Sequence, residues 1–219
     1  LKSIIIASAN DSAVAMAEKI AGTVDAFVNK MNERAKELGC TNTNFVNVHG
    51  LDADNHYTTA RDMAIIAREL IKHDDIFNYT TIYESYLNKP DGTSIWMVNT
   101  NKLIKYYNGL DGLKTGFTKS AGYCLTSTAK RNDMRLISVI MKEETSQKRN
   151  EETTKLLDYG FTNYKIKTIV STNDNIGSVY IFNSKKENYD LTITNDATNL
   201  EGLNETNNYS YNVNLDKVK

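Results

Sequence analysis

Lys114, Thr115 and Gly116 place an ammonium group, a hydroxyl and a bare backbone position in consecutive residues. Turn residues precede them at Asn108-Gly109, and a β-like run follows. Glycine allows a ligand or a second strand to approach the backbone closely. A Lys-Thr-Gly that opens a strand can therefore hold an anionic group beside a sheet edge. For an isolated tripeptide, a solvated lysine at a hairpin explains the same residues.

A second polar cluster, Ser8, Asn10 and Asp11, precedes an Ala-rich apolar run that ends at Gly22. Such residues commonly begin a helix, where their side chains accept hydrogen bonds from free backbone amides. Capping is a sufficient explanation for Ser8 and Asn10 when they are taken alone. However, Ser-x-x-Lys, a Ser-x-Asn type of element and Lys-Thr-Gly occur together in serine penicillin-binding enzymes.

The elements that must position these residues follow from hydrophobic periodicity. Apolar residues at steps of three and four predict helices over Thr23–Leu38, from Thr58 onward, and within Glu143–Tyr159. We expect Thr145 or Ser146 to cap the last helix, Leu156 and Leu157 to face inward, and Gly160 to end it. Apolar or β-branched runs predict strands at Ser94–Val98, Gly122–Ala129 and Met134–Met141. The segment Cys40–Tyr57 is interpreted as an ordered loop, Lys89–Gly92 as a turn, and Ile76–Tyr86 as either helix or strand.

The composition changes after Tyr164, where the chain becomes rich in Asn and Thr. We therefore predict an α+β domain over residues 1–164, with helices on an antiparallel sheet, and a β-rich module over residues 165–219. The short alternating runs of this module are Ile166–Val170, Ser178–Phe182, Tyr189–Thr194 and Tyr209–Leu215. The module is interpreted as small and antiparallel.

Composition excludes several classes of function. The 219 residues have a formal net charge of -1, which gives no electrostatic footprint for nucleic acid or an anionic membrane. No apolar run approaches the length of a membrane span. Cys40 and Cys124 are too few for a disulfide framework, so we expect two buried free thiols. No histidine spacing suggests a metal site, and we expect neither a metal nor a cofactor.

Several blocks beyond these two motifs resemble one family. In order, they are Gly39–Leu51, Asp62-Met63-Ala64, Asp111–Thr118, Ala121–Leu125 and Leu156–Phe161. Together with Ser8-Ala9-Asn10 they resemble the low-molecular-mass D-alanyl-D-alanine carboxypeptidases, the penicillin-binding serine peptidases of family S11 that trim peptidoglycan stem peptides. The resemblance covers about residues 1–164 and implies a β-lactamase/transpeptidase-like fold. The β module then resembles the start of the family's C-terminal domain.

The resemblance implies a role for each matching residue. A nucleophilic serine would attack the penultimate D-Ala carbonyl and leave an acyl-enzyme for water to cleave. Ser8 would pass a proton toward the leaving nitrogen. Asn10 would hold the substrate amide and orient the general-base lysine, since its carboxamide both donates and accepts. Lys114 would supply positive field and a hydrogen bond to Ser8.

Further matches concern substrate binding. Thr115 would bind the substrate carboxylate, and the backbone N–H of Phe117, which follows Gly116, would form half of an oxyanion hole. Arg149 falls where the family carries an arginine that helps to hold the terminal carboxylate. A surface ion pair with Glu152 explains Arg149 about as well.

The nucleophile motif is expected upstream of Ser8. The chain opens on Leu1, without a Met or a signal peptide, so we expect the segment to lie in cis upstream or on a second chain. Inside the chain, Ser-x-x-Lys occurs only at Ser127–Lys130. That match lies in a predicted strand, where positions three apart point to opposite faces, and the motif needs a helix. We therefore expect the chain alone to be inactive.

Two alternatives stay open beside the carboxypeptidase. One is a β-lactamase-like hydrolase on the same fold, and the other is a non-catalytic envelope protein that binds muropeptide or β-lactam. The expected partners are peptidoglycan stem peptides and β-lactams. We expect an extracytoplasmic location in the bacterial envelope, with membrane association only through an anchor outside this chain.

Overall fold

A computed structural model describes residues 1–183 and 186–214 of the chain. By their contacts, the residues fall into two compact units, Leu1–Tyr159 and Gly160–Lys219. The division after residue 164, which rests on composition, stays a prediction.

Helices occupy most of the first half of the chain. Among the described residues they are α1 Lys2–Ala7, α2 Asn10–Ala21, α3 Val24–Glu37, α4 Ala60–Leu70, a 3₁₀ turn Asp74–Ile76, α5 Phe77–Thr80, α6 Leu103–Tyr106 and α7 Ser146–Asn163. The strands are β1 Glu84–Asn88, β2 Ser94–Val98, β3 Leu110–Thr118, β4 Gly122–Arg131, β5 Met134–Glu143, β6 Tyr164–Val170, β7 Gly177–Tyr180, β8 Asn188–Leu191 and β9 Ala197–Gly202. The segment Ile76–Tyr86, which the sequence left ambiguous, contains both a helix and the start of a strand.

Every sheet of the described residues is antiparallel. In the first unit, β1 pairs with β2, and β3, β4 and β5 form a sheet in that order. Strand β4 is central, and its residues Leu125 to Ala129 are all buried, as expected of a strand covered on both faces. Helix α4 packs against β5. The predicted α+β architecture is confirmed.

The Lys-Thr-Gly tripeptide lies inside strand β3, so the prediction that it opens a strand is wrong. Thr115 is opposite Leu125, and Gly116 is opposite Cys124, so the tripeptide forms part of a continuous ladder. The glycine that β3 needs for packing is Gly112, where a Cβ would lie 3.2 Å from the side chain of Thr80. Strand β3 is the edge of the three-stranded sheet.

The predicted helix at Thr23–Leu38 is confirmed as α3, and the one that starts near Thr58 is α4. Each begins at a threonine N-cap, since Thr23 Oγ1 accepts from the Ala26 amide and Thr59 Oγ1 accepts from the Asp62 amide. The predicted turn at Lys89–Gly92 closes the β1–β2 hairpin.

Helix α7 differs from its prediction at one end. Thr145 Oγ1 accepts from the Lys148 amide and caps the start, as expected. The helix then continues through Gly160 to Asn163, so the glycine is not its end. Leu157 is 1% exposed and faces inward, but Leu156 is 46% exposed, so its predicted burial is wrong.

The second unit contains two antiparallel pairs of strands, β6 with β9 and β7 with β8. Strands β6, β7 and β8 fall within or beside the predicted runs, whereas β9 was not predicted. The run predicted at Tyr209–Leu215 is not a strand over residues 209–214, and Leu215 lies outside the described residues.

Cys40 and Cys124 are free thiols, as expected. Cys40 is buried, and burial raises the pKa of its thiol, with a further contribution from the negative charge of Asp62. Cys124 is only half-buried, so the expectation of burial is wrong for that residue. Within residues 1–183 and 186–214, no helix combines the length and the apolar character needed to cross a membrane.

Leu157 and Leu156 provide a direct test of how α7 is oriented. Replacing Leu157 with Ala removes a fully buried side chain and is expected to lower the free energy of unfolding by about 2–5 kcal/mol. Leu156→Ala is the matched control and is expected to change it by at most about 0.5 kcal/mol. Urea denaturation measures both. Equal losses would contradict the orientation of the helix.

Candidate active site

Ser8 lies in the tight turn between α1 and α2. It has a left-handed backbone conformation, with φ 56° and ψ 41°, and it ends α1. The buried side chains of Ile5 and Ile6 anchor α1, so the turn that follows it is fixed in place. The side chain of Ser8 is exposed and lines a cleft.

The capping interpretation of Ser8 and Asn10 is wrong. The N-cap of α2 is Ala9, which makes no side-chain capping hydrogen bond, and Asn10 is the first residue of the helix. Asn10 is exposed and lines the same cleft as Ser8 and Lys114. The polar residues at this helix start are therefore not explained by helix formation.

The side chain of Lys114 extends from strand β3 to Ser8, which lies between helices α1 and α2. Its Nζ donates to Ser8 Oγ at 2.9 Å and to the Thr115 carbonyl oxygen at 2.9 Å. The first contact joins residues 106 positions apart in the sequence. The lysine is thus held at the cleft surface and is not a solvated residue at a hairpin.

Burial strongly affects the ionisation of Lys114. Burial first, and then the positive charge of Arg149, together lower the pKa of the ammonium group to about 8. No acidic side chain is among the causes of this pKa shift. Among the described residues, the cleft therefore holds positive charge without a carboxylate that stabilises it.

Arg149, in the first turn of α7, is 5% exposed. Its Nε and one terminal nitrogen donate to Asn150 Oδ1 at 3.2 and 2.8 Å. Glu152 instead pairs with Lys155 at 2.8 Å. The alternative of a surface ion pair between Arg149 and Glu152 is therefore wrong. Burial lowers the pKa of the Arg149 guanidinium.

Thr115 is in hydroxyl contact with Thr100, a residue that the sequence did not single out. Their Oγ1 atoms are 2.6 Å apart. Successive side chains of a strand point to opposite faces, so Lys114 and its neighbour Thr115 have different partners. The sequence contains one signal for Thr100, namely its place between two asparagines.

The cleft consists of two adjoining depressions that share Ser8, Thr115, Gly116 and Phe117. The first depression has a volume of about 480 Å³, and its apolar lining residues are Ile4, Ile5, Ala9, Ala13, Val48, Leu51, Leu70, Ile76 and Leu113. The second has a volume of about 490 Å³ and is also lined by Val98, Thr100, Lys102, Tyr123, Ser146, Arg149 and Asn150. Neither depression has Asp or Glu among its described lining residues.

Gly116 and Phe117 form the rim between the depressions. A Cβ added at Gly116 would find only Cys124, at 3.8 Å, so packing within the described chain does not require glycine there. The Phe117 ring is 56% exposed and stacks on Tyr123, with ring centroids 4.3 Å apart. A bare backbone beside an aromatic ring leaves room for a ligand along β3.

The loop Cys40–Tyr57 closes the far side of the first depression through Val48, His49, Gly50 and Leu51. Ser120 Oγ donates to Asp52 Oδ1 and ties this loop to the turn that follows β3. Hydrogen bonds from Ser120 and Thr118 lower the pKa of the Asp52 carboxyl. Sequence reasoning missed this contact, because its partners are 68 positions apart.

The internal Ser-x-x-Lys match lies in strand β4. Ser127 is fully buried and Lys130 is exposed, so the two side chains do not meet in the cleft. The rejection of this match as a nucleophile motif agrees with their placement. In the part of the chain that the structure describes, no three His, Cys, Asp or Glu side chains are grouped as a metal site.

Comparison with known proteins gives a consistent assignment. The family profile described as D-alanyl-D-alanine carboxypeptidase, Peptidase S11, matches residues 1–145. The chain is 46% identical over 192 residues to the D-alanyl-D-alanine carboxypeptidase DacF of Bacillus subtilis, covering 88% of this chain and 49% of that protein. It is 44% identical over 161 residues to DacC of Escherichia coli, covering 73% of this chain and 39% of that protein. The chain thus spans about half or less of the length of these relatives.

Solved structures agree with the sequence matches. Penicillin-binding protein 5 from Haemophilus influenzae has a TM-score of 0.77 at 34% identity, covering 93% of this chain and 58% of that one. Penicillin-binding protein D2 from Listeria monocytogenes, in an ampicillin-bound form, has a TM-score of 0.65 at 35% identity, covering 73% and 65%. A mutant of the Streptomyces K15 DD-transpeptidase has a TM-score of 0.69 at 30% identity, covering 74% and 66%. The predicted transpeptidase-like fold is confirmed.

The ionisation of Lys114 is directly measurable in this 219-residue protein. We expect its side chain to titrate at about 8 in an NMR titration of labelled lysines, with Lys114→Met used for assignment. Arg149→Gln is expected to raise this pKa, because it removes a positive charge that disfavours the ammonium form.

The matched control is Arg34→Gln on α3, whose guanidinium pairs with Glu37 and Glu69 and which lines neither depression. It is expected to leave the pKa of Lys114 unchanged. A Lys114 midpoint near the ordinary value of 10.5 would contradict the burial of its ammonium group.

Proposed function

This chain belongs to the D-alanyl-D-alanine carboxypeptidase family, peptidase family S11, and we propose that it supplies two of the three catalytic elements of a serine-type D-Ala-D-Ala carboxypeptidase. The substrate class is the peptidoglycan stem peptide that ends in D-Ala-D-Ala. The activity is a proposal for this chain, because the chain spans 49% of the length of its Bacillus relative.

One observation carries the proposal. Lys114 Nζ donates to Ser8 Oγ at 2.9 Å in a cleft whose described lining includes Lys102, Lys114 and Arg149 but no carboxylate. A hydroxyl bonded to a buried lysine is suited to move a proton, and unpaired cations are suited to bind an anionic substrate. A peptide with a free C-terminal carboxylate meets both conditions.

The reaction is acyl transfer to a serine. The nucleophile's hydroxyl oxygen bonds to the penultimate D-Ala carbonyl carbon, its proton passes to a lysine base, and the C–N bond to the terminal D-Ala breaks. The leaving nitrogen takes up a proton and free D-Ala departs. Water then attacks the acyl-enzyme ester, which returns the serine and the shortened peptide.

Ser8 and Asn10 act at the leaving-group side. Ser8 receives the hydrogen bond of Lys114 and passes a proton toward the leaving nitrogen. Asn10 binds the substrate amide and orients the lysine base, since its carboxamide both donates and accepts. Their common position at the rim of the first depression supports these roles.

The residues of β3 and α7 bind the carboxylate and the oxyanion. Lys114 supplies a positive electrostatic potential. Thr115 donates a hydrogen bond to the terminal carboxylate of the substrate, and Arg149, which lies on α7, attracts the same carboxylate. The Phe117 backbone N–H, after Gly116, forms half of the oxyanion hole with the nucleophile's own amide. The open space at Gly116 supports a close approach of the substrate to this backbone.

The nucleophile comes from a segment outside this chain, in cis or on a second chain. Its Ser-x-x-Lys turn of helix packs in the first depression, which brings the serine next to Ser8 and Lys114. Two observations support this: the lining is mostly apolar, and the polar residues Ser8, Asn10 and Lys114 lie together on it. A helix that buries apolar side chains there would present its Ser and Lys on one face.

A non-catalytic protein that binds β-lactam or muropeptide is the second candidate. It is favoured by one observation, that the cationic cleft with no carboxylate in its described lining would hold an anionic ligand without any turnover. A β-lactamase-like hydrolase is less well supported, because the family profile and the relatives are carboxypeptidases. In each case the protein acts outside the cytoplasm, where its substrate is exposed.

Penicillin labelling of the full-length protein tests the proposed chemistry. We expect intact-protein mass spectrometry to find one benzylpenicillin adduct, and peptide mapping to place it on a serine of a Ser-x-x-Lys upstream of Ser8. The 219-residue chain is the control and is expected to remain unlabelled. Labelling without release of D-Ala from a stem peptide would support the binder, and the lack of any adduct would rule out the serine enzyme.

Substitution of two lysines on neighbouring strands distinguishes the Lys-Thr-Gly motif from the internal Ser127–Lys130 match. In the full-length protein, Lys114→Ala is expected to slow acylation by roughly 100-fold or more, because it removes a positioned donor and charge. Lys130→Ala removes an exposed lysine of β4 and is expected to change the rate by less than about twofold. Stopped-flow measurement with a fluorescent penicillin compares them. Equal losses would mean that Ser127–Lys130 takes part in the chemistry.

A further inference from the structure

Thr100 is held by two of the most deeply buried polar side chains in the first unit. Asn99 and Asn101 on either side of it are both 0% exposed. Asn99 Nδ2 donates to the Ile82 carbonyl at 2.9 Å, and Asn99 Oδ1 accepts from the Asn101 amide at 2.9 Å. The backbone around Thr100 is therefore fixed by buried hydrogen bonds. Without these bonds the fold would leave buried polar groups unpaired, which is costly.

The same scaffold connects Thr100 to both walls of the cleft. The Thr100 amide donates to the carbonyl of Ile6 in α1, at 3.3 Å. Asn101 Nδ2 donates to the carbonyl of Gly112 in β3, at 3.4 Å. Thr100 is thus placed between the helix that leads to Ser8 and the strand that carries Thr115.

The hydroxyls of Thr100 and Thr115 form a pair with one proton to spare. Their oxygens are 2.6 Å apart, and either can donate. Two hydroxyls bring two protons, and the contact between them uses one. The remaining proton points away from the pair and is available to a ligand.

An anion fixes the direction of this pair. Thr100 and Thr115 both line the second depression, together with Arg149 and Lys102, and its described lining has no Asp or Glu. A carboxylate that contacts Thr115 can only accept, so the Thr115 proton must point toward it. Thr115 Oγ1 then accepts the proton of Thr100, and the two hydrogen bonds strengthen each other.

We propose that Thr100 is a positioning residue for substrate binding, which donates to Thr115 and so directs the Thr115 hydroxyl toward the terminal carboxylate of the peptide. The inference rests on the proposed function and adds a residue to it. Thr100 acts through Thr115, and its own side chain is exposed and not part of the packed core. Its backbone contacts hold the segment, so loss of the hydroxyl alone leaves the segment in place.

Steady-state kinetics of the full-length protein with a diacylated tripeptide ending in D-Ala-D-Ala tests this role. Thr100→Val keeps the shape but lacks the hydroxyl, and it is expected to raise KM roughly 3- to 10-fold with kcat within about twofold. Thr100→Ser restores the hydroxyl and is expected to return KM to the wild-type value. Thr168→Val makes the same change on an exposed threonine of β6 and is the control that leaves both constants unchanged.

A double-mutant cycle separates positioning from a local structural effect. In a Thr115→Val background, Thr100→Val is expected to have no further effect on KM, because the hydroxyl that it directs is gone. Three outcomes would each overturn the proposal. They are additive increases in KM in the double mutant, an unchanged KM in Thr100→Val, and a KM increase in Thr100→Ser equal to that in Thr100→Val. A wild-type protein that does not release D-Ala would overturn the proposed function itself, and this inference with it.

Discussion

The cleft depends on partly buried positive charge, and its described lining residues include no carboxylate to balance that charge. Lys114 is held between Ser8 and the Thr115 carbonyl, and Arg149 is buried nearby with only an amide oxygen as its side-chain partner in the described hydrogen bonds. Desolvation disfavours the charged form of both groups, and the positive charge of Arg149 further disfavours that of Lys114. This arrangement is unfavourable for stability, and it becomes favourable when an anion enters the cleft.

The edge position of β3 explains how one strand serves two sets of partners. Lys114 and its neighbour Thr115 contact Ser8 and Thr100, respectively. The tight contact of Gly112 with Thr80 fixes the strand from behind, whereas Gly116 leaves the front open. Two glycines of the same strand thus have opposite effects, since one permits packing within the fold and the other keeps space for a ligand.

Local patterns in the sequence predicted the helices and strands well. The site, whose residues are far apart in the chain, was predicted only through the resemblance to a known family. Periodicity located α3 and α4, because it depends on residues three or four apart. The same rules failed at Gly160, because glycine has only a weak preference to end a helix and α7 continues through it to Asn163. They also assigned Ser8 to capping, although its side chain is bonded to a lysine 106 positions away.

Two features of the site had no adequate signal in the sequence. Arg149 was equally compatible with a surface ion pair, and only the packing of α7 shows that its guanidinium is buried. Thr100 lies in a polar segment whose asparagines look like those of a solvent-exposed loop. Their complete burial depends on α1, α5 and β3 together, and no single-sequence rule describes such a combination.

The separation of Ser8 and Lys114 along the chain has a consequence for biosynthesis. Closing so long a loop is slow, and contacts of this kind form after the local helices and hairpins. A ribosome must complete β3 before the cleft can exist at all, and until then Lys114 is an ordinary hydrated lysine. The low pKa of the Lys114 amine therefore arises only when this long-range contact forms, and a partly made or partly unfolded chain lacks the cleft.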